Sequence, residues 1–233
     1  MEAGVRSELA APSPTAAGQD RFDARRIAVA IEYIRRFDLS RGTVMEAGSL
    51  DNPAARLIWE RFPDARPRPA LNDFRKEPLQ FEDGSVDSVV CLEVLEHLSD
   101  IEYRHATTLS GLFYFLEEVY RVLGVGGRAL FTTPNAASLL TIGRALEHEP
   151  PMQYPWHFRE YSVGELRRIL EHVGFRVVSL RTEFVWRTWD LGRLARSVSR
   201  LGHSLENRGD DIFAVVEKPA ERVRPPHGLD LPV

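Results

Sequence analysis

Glu93, Glu96 and His97 stand together just after the most apolar run of this chain. If residues 93 to 97 form one helical turn, positions i, i+3 and i+4 share a face. Two carboxylates beside an imidazole suit a divalent cation such as Mg²⁺, Mn²⁺, Fe²⁺, Co²⁺ or Zn²⁺. Without a cation, the same imidazole is a candidate general base. A second constellation lies upstream in Val44-Met45-Glu46-Ala47-Gly48-Ser49. There an acid is followed by a glycine turn, which lets backbone N–H groups approach a ligand carboxylate or phosphate at a helix start.

These residues need elements to position them. Glu82-Asp83-Gly84-Ser85 is a turn that feeds Val86 to Leu92, a short and mostly β-branched run. Such a run reads as a buried parallel strand. Its carboxyl end carries the acids and the histidine, and an open α/β sheet binds ligands at that end. Around it, helix and strand signals alternate. The spacing predicts helices over 22–37, 53–61, 111–123, 162–172 and 190–201. It predicts strands over 43–47, 69–72, 86–92, 128–133, 175–181 and 211–217. Pro53 suits a first helical position, with Asp51 or Asn52 as its cap. Ser162 with Glu165 reads as a capping box, and Gly174 as the stop. The alternation predicts an α/β fold: a Rossmann-like, doubly wound, mostly parallel sheet with helices on both faces.

At 233 residues, with 43% hydrophobic and 27% charged, the chain fits one globular domain. Residues 1–20 and 221–233 read as mobile tails flanking a domain over 21–220. No apolar run approaches the ~20 residues of a membrane helix, and the N-terminus lacks the apolar core of a signal peptide. The single cysteine, Cys91, excludes an internal disulfide and suits the cytoplasm. A net charge of −4 argues against nucleic acid or anionic membrane as partners. Locally, Arg159 to Arg208 holds ten arginines against six acids. That excess reads as solvated helix faces or as an anion-contacting surface near the substrate.

Read together, Glu46 to Ser49, Asp73-Phe74, the stretch from Glu77 to Leu98, Glu117 to Asn135 and His157 to Phe175 resemble the class I S-adenosylmethionine-dependent methyltransferases over roughly 24–218. The resemblance implies S-adenosyl-L-methionine as cofactor. Glu46, Ala47, Gly48 and Ser49 would hold its methionine part. Asp73 and Phe74 would contact adenine, and Cys91, Leu92 and Glu93 would line the cofactor beneath the methyl group. Glu-x-x-Glu-His at 93–97, with His157-Phe158-Arg159-Glu160-Tyr161-Ser162, also resembles the metal motif of small-RNA 2′-O-methyltransferases and, in part, of ubiquinone-pathway O-methyltransferases. That implies a divalent metal on Glu93, Glu96, His97 and His157. It also implies catalytic roles for His97, His157 and Glu93.

The chain departs from the family pattern in two places. Leu50 and Asn52 stand where further glycines are usual. Only 24 positions separate Ser49 from Asp73, too few for a helix, strand, helix and strand. The second strand–helix unit is therefore expected to be truncated, and no acid is assigned to the cofactor ribose. Thr132-Thr133-Pro134-Asn135 reads as a turn or a pocket wall. Tyr103 and His105 read as a lid or a surface loop. Trp156, Trp186 and Trp189 read as core packing or an aromatic substrate wall. The combined expectation is a cytoplasmic enzyme that methylates a hydroxyl on a small molecule, a sugar or a phenol. RNA-terminal 2′-O-methylation and a catalytically silent binding protein are the alternatives. Nothing in the sequence sets an oligomeric state.

Overall fold

The structure, a computed structural model, describes residues 16–100, 109–185 and 191–222. Its six strands are β1 (Thr43–Ala47), β2 (Arg66–Ala70), β3 (Val86–Leu92), β4 (Leu123–Pro134), β5 (Arg176–Glu183) and β6 (Asp211–Glu217). They form one sheet in the order β2-β1-β3-β4-β6-β5. Strands β1 to β4 are parallel, and β6 runs antiparallel to both neighbours. The helices are α1 (Ala16–Arg36), α2 (Pro53–Trp59), α3 (Ser110–Val122), α4 (Leu139–Leu146), α5 (Val163–Val173) and α6 (Gly192–Arg200). This is the doubly wound α/β sheet that the alternation predicts.

Strand alternation splits the core between the two faces of the sheet. Val89, Cys91, Ala129 and Phe131 pack with α3 and α5 through Leu112, Phe115, Leu166 and Ile169. Val90, Leu130, Phe213 and Val215 pack with α1 and α2 through Ile27, Ala30, Ile34 and Ile58. That division decides where the functional side chains point.

The edge beyond β1 is short, as the 24-residue spacing requires. Between Ser49 and Asp73 the chain makes one helix, α2, and one strand, β2. Strand β2 begins three residues earlier than the pattern suggests, at Arg66, and contains Pro67 and Pro69. Proline is tolerated there because β2 is the edge strand and its outer side needs no N–H donor.

Two starts and one helix depart most from the sequence pattern. Helix α1 starts at Ala16, so residues 16–20 of the expected tail are helical. The remaining tail residues, 1–15 and 223–233, lie outside the described residues. Strand β4 begins at Leu123 and takes in the run Gly124-Val125-Gly126-Gly127. Gly126 has φ +80°, and a Cβ on Gly127 would sit 2.8 Å from Gly124 O, so a bulge forms here that only glycine permits. Helix α4 was not anticipated. Its Ser138 cap accepts from Thr141 N, at the start of an apolar octet, LLTIGRAL.

Candidate active site

A cleft of about 450 Å³ opens at the carboxyl ends of β1, β3 and β4. This is where the strand order reverses, the usual ligand position in such sheets. Glu46, Ala47, Gly48 and Ser49 form its floor, Leu92, Glu93 and Thr132 one wall, and Asn52 to Ala55 the other. Helix α1 closes it with Arg26, Ile27 and Ala30. Gly48 adopts φ +126°, a conformation an L side chain resists, and a Cβ there would meet nothing within 4 Å. The floor beside the cleft is therefore open. Asn52 caps α2, its Oδ1 accepting from Ala54 N at 2.9 Å.

Glu46 is buried, and its Oε2 accepts a hydrogen bond from Trp59 Nε1 at 3.1 Å. Burial pushes its carboxyl up to about 8, against the smaller pull of the indole donor. A cation entering the cleft would relieve that cost. A buried carboxyl, an open glycine floor and a helix start fit the amino-acid end of S-adenosylmethionine.

Glu93 takes φ +55°, in the left-handed region. Its N–H donates to Thr132 O, its Oε1 accepts from Thr132 Oγ1 at 2.7 Å, and its Oε2 pairs with Arg26 at 3.0 Å. Strained non-glycine residues of this kind concentrate at functional sites. The left-handed turn also separates Glu93 from the helical turn expected over 93–97. Only Leu95–His97 is helical, as a single 3₁₀ turn.

Glu93 therefore leaves the four-residue metal set and belongs to the cleft. The group able to hold a metal among the described residues is Glu96, His97 and His157, whose ligand atoms lie within 4.8 Å of one another. His97 and His157 rings are 5.0 Å apart at 79°. His157 arrives because Phe158 N donates to Glu96 O at 2.9 Å, which folds the segment before α5 over the end of β3. The His157 ring is 9% exposed, and its Nδ1 meets Glu160 Oε1 at 2.7 Å. That contact leaves Nε2 for a ligand, the arrangement in which a second carboxylate orients a metal-bound histidine.

Glu96 is 1% exposed and accepts from Thr133 Oγ1 at 2.9 Å. Burial, and then the charge of Glu93, raise its carboxyl well above the ordinary range. Its Oε1 is buried without a hydrogen-bond partner and lies 3.8 Å from His97 Nε2. Burial, and then His157, lower the His97 imidazole, which favours its neutral form. An orphaned carboxylate oxygen between two imidazoles fits a divalent cation with open positions.

Three expected cofactor residues do not line the cleft. Asp73 is held by Arg75 through two contacts of 2.8 Å, and that pairing keeps its carboxyl well below the usual range. Phe74 stacks on Phe115 at 4.8 Å, in the core of the opposite sheet face. Cys91 points to that same face, since it alternates with Leu92, and burial pushes its thiol up. Trp156 is 74% exposed, so it is not core, and its neighbours Tyr154 and Phe158 are also exposed. Tyr103, His105, Trp186 and Trp189 lie outside the described residues.

Two supporting residues, Arg26 and Trp59, carry no sequence signal, while Thr132 takes the pocket-wall place. Thr132 and Thr133 are not a simple turn: each hydroxyl holds one carboxylate. Only packing brings Arg26 to the cleft and Trp59 to the Glu46 carboxylate. Asn135 ties the end of β4 to the segment before β6, its Nδ2 donating to Asn207 O and Gly209 O.

Residues 15–180 match the family model described as "Methyltransferase domain". A Mycolicibacterium smegmatis protein named "probable S-adenosylmethionine-dependent methyltransferase" is 35% identical over 111 residues, 48% of this chain and 37% of that protein. The match thus spans little more than a third of that relative. A SAM-dependent methyltransferase from Archaeoglobus fulgidus shares the fold at TM-score 0.55 and 16% identity, over 82% of this chain and 94% of its own. Haemonchus contortus phosphoethanolamine N-methyltransferase 2, solved with S-adenosyl-L-methionine, does so at TM-score 0.51 and 14% identity, over 93% and 61%.

Proposed function

The chain belongs to the methyltransferase domain family, and on that premise we propose that it methylates a hydroxyl of a small molecule, a sugar or a phenol, with Glu96, His97 and His157 activating that hydroxyl. S-adenosylmethionine supplies an electrophilic methyl group. The cleft residues hold that donor: Glu46 for its amino group, Gly48 and Ser49 for backbone approach, and Glu93 beneath the methyl. An acceptor oxygen placed over the 3₁₀ turn forms the new C–O bond as the C–S bond breaks. Its proton passes to His97 or His157, and alignment of the two reactants lowers the barrier by several kcal/mol.

The single observation that carries this reading is the approach of His157 to His97 at 5.0 Å around the orphaned Glu96 Oε1. Glu96, His97 and His157 would hold a divalent metal. A metal bound there would act as a Lewis acid that lowers the pKa of the acceptor hydroxyl. With or without it, Thr133 and Glu160 keep Glu96 and His157 aimed at the same point.

Turnover of a panel of phenols and sugars, measured with and without a chelator, tests the reading. Loss of turnover on chelation, with S-adenosylhomocysteine binding intact, supports the metal. Turnover that survives the chelator but not His97→Ala supports the histidine base. Activity indifferent to both treatments refutes the role of the cluster.

A further inference from the structure

The arginine excess of the C-terminal third finds a place in the fold. A groove of about 910 Å³ lies between the start of α5, the end of β5 and the segment before β6. Arg167, Arg181 and Arg208 line it, one from each of those elements. Arg168 joins them at the rim, since its Nη1 lies 3.8 Å from where a Cβ on Gly164 would stand. Ser162, Val163 and Gly164 also line the groove, so the first turn of α5 presents its N–H groups to it. The N–H of Glu165 is taken by the Ser162 cap, those of Val163 and Gly164 have no partner within the helix, and the positive end of the helix dipole adds to the arginine charge.

Two carboxylates share the lining, Glu183 and Glu206. Glu183 accepts the Tyr33 hydroxyl from α1 at 3.0 Å. Arg208 is tied to the backbone, its Nη1 donating to Ala137 O at 2.9 Å. Arg167 has a loose contact of 3.4 Å to Glu171, and Arg168 and Arg181 form no ion pair among the described residues. Three guanidinium groups on one groove, with Arg168 beside them, are thus only partly neutralised by acids.

The groove opens on the same side of the sheet as the histidine cluster. Strands β4 and β5 run in the same direction, because both are antiparallel to β6, so both end at the active face. Thr133 holds Glu96, and Ala137, four residues on, lines the groove. Four residues span at most about 13 Å. Tyr161 joins the two sites, its backbone bridging Asn135 just before Ser162 starts the groove wall.

We propose that this groove is an anion subsite that takes a phosphoryl group carried by the acceptor, while the acceptor hydroxyl sits at Glu96, His97 and His157. The placement rests on the methyl-transfer reading, but binding at the groove can be measured apart from it. A phosphoryl group suits the site because planar guanidinium groups and helix N–H groups both donate to its several oxygens. The acceptor class is then a phosphorylated small molecule, with the phosphate and the methylated hydroxyl separated by a distance of this order.

The test is calorimetric titration of the full chain with inorganic pyrophosphate, with sodium chloride at matched ionic strength as reference. Saturable binding is expected in the unaltered chain. Arg167→Gln/Arg181→Gln should weaken it about tenfold, and a control pair away from the groove, Arg61→Gln/Arg200→Gln, should not. If the first pair folds poorly, Gly164→Asp places a carboxylate at the groove mouth and should weaken binding in the same sense. S-adenosylhomocysteine affinity should be unchanged in all three variants. Loss of that affinity in the unaltered chain would count against methyl transfer and not against the groove. Pyrophosphate binding no stronger than the chloride reference, or an equal loss in both pairs, overturns the proposal.

Discussion

Thr132 and Thr133, neighbours on β4, send their hydroxyls to two different carboxylates: Thr132 to Glu93 at 2.7 Å and Thr133 to Glu96 at 2.9 Å. Adjacent strand residues face opposite sides of a sheet. Thr132 continues the face of Leu130, under α1, and Thr133 continues the face of Phe131, under α3 and α5. Two acids three residues apart in sequence are thereby assigned to two different sites. Replacing each threonine by valine should separate their roles. Thr132→Val should weaken S-adenosylhomocysteine binding, and Thr133→Val should lower turnover with that binding intact. Each leaves a carboxylate oxygen without its donor, at about 1–3 kcal/mol of stability. Calorimetry and denaturant titration check both, and identical phenotypes would contradict the division.

Glu93 supports a second prediction. Its φ of +55° costs an L residue about 1–2 kcal/mol. Glu93→Ala keeps that strain and loses the Thr132 and Arg26 contacts. Glu93→Gly loses the contacts and relieves the strain. The glycine variant should therefore be more stable than the alanine variant by about 1 kcal/mol, while both bind cofactor poorly. Urea unfolding of the pair decides this, and a more stable alanine variant would refute it.

Glu46 sets a pH dependence. The folded chain holds its carboxyl proton up to about 8, while the ordinary value is 4.5. Between those values the native state binds more protons than the unfolded state, so stability falls as pH rises. This contribution is complete below the ordinary value and lost above about pH 8. Glu46→Gln should flatten that slope, which is at most about 1.4 kcal/mol per pH unit. In the unaltered chain, a ligand ammonium group displaces the proton, so S-adenosylhomocysteine should bind more tightly as pH rises toward 8. A Glu46→Gln curve parallel to the original would remove Glu46 as the source.

Glu160 aims His157. Glu160→Gln keeps the volume but weakens the hold on Nδ1, so activity should fall, by about 10–100-fold if His157 holds a metal. His157→Ala should abolish activity. It should also cost about 1–3 kcal/mol, because the ring is 9% exposed and its loss strips a buried carboxylate of a partner. Thermal unfolding beside turnover measures both. Full activity in the glutamine variant would reduce Glu160 to a loop anchor.

Much of the fold is legible along the chain because it depends on local pattern. The limits of β1, β3 and β6 follow from apolar runs bounded by turn residues. Ser162 caps α5 and Gly174 ends it at φ +103°, both local chemistry. The missing strand–helix unit follows from the count between Ser49 and Asp73. The early start of β4 is not legible because a glycine run reads as a break until a neighbouring strand gives it partners.

The site was legible in its residue types and not in its grouping. Glu46 and Gly48 line the cleft, while Glu96, His97 and His157 gather as a separate group. Helical spacing and the family resemblance put Glu93 in the metal set, and the resemblance put Asp73, Phe74 and Cys91 at the cofactor. In the structure Glu93 turns left-handed into the cleft, Asp73 pairs with Arg75, and Phe74 and Cys91 pack on the sheet face under α3. Arg26, Trp59 and the anion groove come from segments far apart in the chain. Their positions depend on how helices pack across a sheet, and that is a property of the folded whole. The sequence determined which chemistry is present and at which strand ends it emerges. The tertiary structure decided which side chains share a site, because a strand presents alternate residues to opposite faces and only packing shows what waits on each.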